Sequence, residues 1–192
     1  MDLSKQKKYL TAEVVFMAVF AVSLLVARFM VVNKHKIVLS EPVKLESASL
    51  SVRMPTGSGW RFMDKWTKLS VEGSYGLAAG MSTGHGNDIL VQWRYISKAE
   101  PAEPQSRLAK RAGELNSEII EAGQLTGQSQ MEWAQLQRPG GSGGDIFIGC
   151  GKLGYGQVLE LEVVVLGSPL FARRLFEKVG DSVISEKGMY YE

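Results

Sequence analysis

The chain has 192 residues, with 22 basic and 20 acidic side chains, one cysteine and two histidines. A single cysteine excludes an intrachain disulfide and a thiolate metal cluster. Six of the basic and two of the acidic residues precede Ile37, so the remainder carries sixteen basic against eighteen acidic residues. A near-neutral, slightly acidic domain has no electrostatic footprint for nucleic acid.

Residues 1–13 form a short tail containing Lys5, Lys7 and Lys8. Residues 14–32 (VVFMAVFAVSLLVARFMVV) follow, apolar on all sides apart from Arg28 near the distal end. As a helix this stretch would span roughly 28 Å, the hydrocarbon thickness of a bilayer, and it predicts a transmembrane helix with the lipid bilayer as its partner. A cleaved signal peptide is the rival reading. Cleavage after Ala27 would put Leu25 at the −3 position, where a small residue is wanted, and Ala21-Val22-Ser23 would leave too short an apolar core. An uncleaved anchor is therefore favoured. Lys5, Lys7 and Lys8 on one side balance Arg28, Lys34 and Lys36 on the other. A short basic tail before a first span ordinarily stays cytoplasmic, which makes the protein single-pass in the cell membrane with its C-terminal domain extracytoplasmic.

Residues 33–45 read as a linker interrupted by Pro42, residues 46–185 as one domain, and residues 186–192 as a flexible tail. Ala48, Leu50, Val52 and Met54 alternate with polar neighbours and predict a half-buried strand, ended by the turn 55–59 before Trp60. Short strands follow over 68–71 and 75–81. A better one over 88–96 carries Val91, Trp93 and Tyr95 on one face. Pro104 is suited to a first helical position. Leu108, Ala112, Leu115 and Ile119 then recur at spacings of 4, 3 and 4, predicting an amphipathic helix to about Ala122. Strands are expected over 128–137, 145–150 and 157–166. Ser168-Pro169 opens a last helix that buries Phe171, Leu175 and Val179. The expected fold class is α+β: behind the transmembrane helix, an antiparallel sheet with both helices covering one face.

The order of elements resembles the PsbP-like α/β sandwich family. The resemblance is carried by Met54-Pro55 through Gly59-Trp60, one middle helix, two long hairpin strands (145–150 and 157–166) and a terminal helix closing in Asp181-Ser182-Val183-Ile184-Ser185. It implies a small partner-binding protein held at a membrane, with no shared catalytic motif. The glycine-rich stretch 73–86 and the absence of a lipid-attachment cysteine depart from the family pattern.

No catalytic, cofactor-binding or metal constellation stands out. Residues 149–154 (GCGKLG) fit G-x-G-x-x-G, but a dinucleotide site needs that loop to open a helix, and a β-rich stretch follows, so a hairpin is expected. His85 has no identifiable nucleophile or orienting partner. Cys150 reads as an inert, semi-buried thiol. Glu160 and Glu162 read as a solubilising strand face. Trp60, Phe62 and Trp66, together with Arg173 and Arg174 on the last helix, are the candidate partner or ligand surface. The expectation is thus a non-enzymatic, single-pass membrane-anchored protein that binds or scaffolds another envelope or membrane-complex component. The alternative is a membrane-anchored module that binds a lipid or small molecule.

Overall fold

Alternation of apolar and polar residues dominates the chain beyond Ile37, and the backbone follows it into strands. The computed structural model describes residues 37–71, 73–81, 89–125, 130–138, 144–154, 156–166 and 169–185. The strands are β1 (Val38–Leu39), β2 (Val43–Leu45), β3 (Leu50–Val52), β4 (Pro55–Thr56), β5 (Trp60–Phe62), β6 (Thr67–Lys68), β7 (Ser74–Met81) and β8 (Ile89–Ile96). Helix α1 (Pro104–Glu114) separates these from β9 (Glu118–Gln124), β10 (Glu132–Gln137), β11 (Asp145–Gly154) and β12 (Gln157–Val165). Helix α2 (Pro169–Gly180) and β13 (Ile184–Ser185) complete the order.

One large antiparallel sheet organises the molecule, in the order β5-β7-β8-β12-β11-β10-β9, with β6 also paired to β7. Two meanders build it, β5 to β8 and β9 to β12, and they join where β12 pairs with β8. Because the second meander starts at the far side, β9 becomes an edge strand. A three-stranded sheet β13-β3-β2 and the pair β1-β4 lie outside this sheet.

Strand alternation assigns the two faces of the sheet to different partners. Phe147, Leu159, Leu161, Val91 and Trp93 join Leu175, Phe176 and Val179 of α2, with Leu50, Val52 and Met54, in the larger core. Here Gly149 lets α2 approach closely: a Cβ at that position would fall 2.8 Å from the Phe176 ring. The opposite face is smaller. Ile146, Ile148, Cys150 and Val158 pack with Leu108 and Ala112 of α1.

This architecture corrects the expected fold class. The described chain is mainly β-sheet with two short α-helices, and the helices lie on opposite faces rather than together on one. Among the described residues no helix is long and apolar enough to cross a membrane. The span expected at 14–32 lies outside them, as do the basic tail, the His85 loop, Ser168 and the C-terminal tail. The linker reading is also too long: Val43 and Leu45 are buried core residues on β2.

The middle helix stops eight residues before the expected end, for a local reason. Asn116 takes a left-handed conformation with φ 48°. Its N–H donates to Gly113 O at 3.0 Å and the Ser117 N–H donates to Ala112 O at 3.0 Å. These two bonds form a Schellman cap, in which asparagine tolerates the left-handed position. The β-branched pair Ile119-Ile120 then extends into β9 instead of prolonging the helix.

Candidate functional site

Glu160 and Glu162, the expected solubilising face, are buried to 6% and 7% exposure on the central strand β12. Register places Arg94 of β8 directly across from Glu160. Arg107 and Arg111, one helical turn apart on α1, reach down onto the same face. Arg107 Nε donates to Glu160 Oε1 at 2.8 Å, and its Nη2 reaches the same oxygen. Arg94 Nη2 lies 2.8 Å from Glu160 Oε2 as an ion pair, without the alignment of a hydrogen bond. Arg111 donates to Glu162 Oε2 from Nη2 at 2.7 Å and from Nε at 3.0 Å, while its Nη1 donates to Glu114 at 2.8 Å.

These charges satisfy one another. Burial alone would lower the Arg111 pKa, but its hydrogen bonds to Glu162 and Glu114 more than offset this and raise it. The Arg111 hydrogen bond in turn holds the Glu114 carboxyl below its ordinary value. Between the arginines, the glutamates and Cys150 lies a cavity of about 10 Å³, room for one water. Burial pushes the Cys150 thiol up to about 12, with Glu160 adding to the shift, so it is no ready nucleophile. The network fastens α1 to the sheet and presents no free acid or base outward. Among the described residues, no group of three histidine, cysteine, aspartate or glutamate side chains could hold a metal. The G-x-G-x-x-G stretch lies wholly within β11, which turns back into β12 without opening a helix.

The candidate surface residues fall in two places. Trp60 and Phe62 lie on β5, at one edge of the large sheet. Trp60 and Trp66 are half-buried against the core, and the Trp66 Nε1–H donates to Val43 O at 3.2 Å. Phe62 is exposed. Arg173 and Arg174 lie on α2, Arg174 exposed. Arg173 stacks over the Trp133 ring at 5.1 Å and donates to Glu177 and to Glu121 of β9, each at 3.1 Å. Glu121 and Phe62 thus sit on opposite edge strands, six strand spacings or roughly 29 Å apart along the sheet. The structure does not bring the aromatic and arginine residues together.

Sequence reasoning missed the edge at β9. All seven of its residues are exposed, including Ile119 at 43% and Ile120 at 52%. Ile120 is the extra residue of a β-bulge against β10, and Glu121 to Gln124 pair regularly beyond it. The Leu125 N–H donates to Met131 O at 2.8 Å. Strand alternation from that bond aims the backbone groups of Glu121 and Gly123 at β10 and those of Ala122 and Gln124 away from the sheet. Neither lysine nor proline guards β9, though both are common edge blockers. The signal available in sequence was Asn116 followed by two β-branched isoleucines.

No family model, curated protein or solved structure matches this chain, so these comparisons do not bear on the PsbP-like resemblance.

Proposed function

We propose that this is a non-enzymatic binding protein, held at a cell membrane through the apolar segment 14–32, whose strand-rich domain faces away from the cytoplasm and engages a protein partner at the β9 edge. The partner contributes a strand that pairs with the outward backbone groups of Ala122 and Gln124 and covers the neighbouring isoleucines. One observation carries the reading: an edge strand exposed along all seven residues, with two adjacent isoleucines in the open. Glu160 and Glu162 are ion-paired beneath α1. The cavity beside them, about 10 Å³, is too small for a lipid or cofactor.

Ala122→Pro tests it. Proline there removes an outward N–H and leaves the β9–β10 bonds made by Glu121 and Gly123 untouched. Partner proteins co-purified from detergent-solubilised membranes should disappear with this variant, and with Ile120→Lys, while thermal melting of the domain shifts little. Unchanged co-purification by both folded variants would overturn the proposal.

A further inference from the structure

We infer that α1 is a detachable lid: residues 100–117 leave the sheet as one unit while the sheet and α2 stay folded. The inference is independent of the edge-binding reading above. This stretch is fixed at both ends and lightly held between them. The Ala99 N–H donates to Gly156 O at 2.7 Å, and Glu118 is paired with Gln137. Among the described residues, every hydrogen bond or ion pair from 100–117 to the rest of the molecule comes from a charged side chain. Glu103 meets Lys152, Arg107 meets Glu160, and Arg111 meets Glu162.

The apolar contact beneath α1 is small. The helix buries Pro104, Leu108 and Ala112, whereas α2 buries Ala172, Leu175, Phe176 and Val179 against an aromatic core. Opening α1 returns both partners of each ion pair to water together. The attraction lost is then largely offset by the hydration regained, the same balance that leaves a buried ion pair with little net stability. Removing one partner is different, because it strands a charge inside. Packing under the helix is also incomplete: a cavity of about 10 Å³ lies there, and Glu160 Oε2 accepts no hydrogen bond from the protein. A helix of 11 residues, once freed from the sheet, is too short to persist in water. The open stretch therefore unravels and bares Ile146, Ile148, Cys150 and Val158.

Cys150 makes the opening measurable, because it is the only thiol of the chain and lies 1% exposed beneath α1. The full-length protein in detergent micelles would be treated with a maleimide across a urea series, with global unfolding followed in parallel by tryptophan fluorescence. At low urea, labelling should outpace what global unfolding allows by on the order of tenfold or more. Its urea dependence should be shallow, since opening exposes a small part of the surface. Gly113→Ala acts on α1 alone, because a Cβ there meets nothing within 4 Å. It should slow this labelling about fivefold by favouring the helix. Labelling that follows global unfolding from the lowest urea upward would overturn the lid. Shallow labelling left unchanged by Gly113→Ala would overturn it too, since the thiol would then be reached without α1 unravelling.

Discussion

The two faces of the large sheet solve the same burial problem by different chemistry. Beneath α2 the strands present Trp93, Phe147, Leu159 and Leu161, and the helix answers with Leu175, Phe176 and Val179. The Trp133, Phe147 and Phe176 rings lie 5.8–6.4 Å apart, a spacing at which aromatic pairs attract. Beneath α1 the apolar contact is small, and two buried carboxylates and three guanidiniums occupy the rest. An apolar face gains stability from area, whereas an ion-paired face gains little net energy but fixes which residues must meet. The comparison indicates that α2 holds the fold and α1 is held in register upon it.

Substitution by a buried carboxylate should separate the two faces most widely. Leu175 of α2 is 0% exposed, and Leu175→Asp should abolish folding, seen as loss of the cooperative thermal transition. Leu115, half-buried at the end of α1, can turn an aspartate toward water, so Leu115→Asp should melt early but still fold. Equal outcomes would erase the distinction.

Next in size is the charge network. Arg107→Ala leaves Glu160 buried with only Arg94 beside it and should cost about 3 kcal/mol in chemical denaturation. Replacing Arg94, Arg107 and Glu160 together by leucine should recover most of that loss, because it leaves no stranded charge on either side of Glu160. A triple variant no more stable than Arg107→Ala would mean that the ion pairs themselves, rather than their desolvation, support α1.

The smallest effect is a pH dependence at the rim. The Arg111 hydrogen bond lowers the Glu114 pKa from its ordinary 4.5. The ionised carboxylate therefore stabilises the fold above that value, and the contribution is lost as pH falls through the lowered one. Wild type should exceed Glu114→Gln slightly in denaturant midpoint at pH 7, and the gap should close toward pH 3. A gap that persists in acid would place the effect in packing.

Periodicity made the strands legible where one face is apolar. Val91, Trp93 and Tyr95 are buried on β8 as their alternation requires, and Leu175 and Val179 are buried on the inner side of α2. The pattern failed where two periods coincide. Leu115 and Ile119 continue the helical spacing from Leu108, yet Asn116 caps the helix between them, and β9 follows. Glu160 and Glu162 could not be placed from their own strand, because alternating glutamates read alike whether water or guanidinium covers them. Their partners Arg107 and Arg111 arrive from a helix some fifty residues earlier. The arrangement that puts α1 on one face and α2 on the other depends on β12 pairing with β8, a contact between two meanders that no local spacing encodes. The same pairing leaves β9 at an edge, so the candidate site was as hidden as the topology.

Amide hydrogen exchange of the full-length protein in its native membrane, resolved at Ala122 and Gln124, tests edge occupancy most directly. Their N–H groups point away from β10, whereas those of Glu121 and Gly123 are bonded to it. A strand added at the edge would protect all four, so Ala122 and Gln124 should exchange as slowly as Glu121 and Gly123. Rapid exchange confined to Ala122 and Gln124 would show the edge open to water and contradict the account.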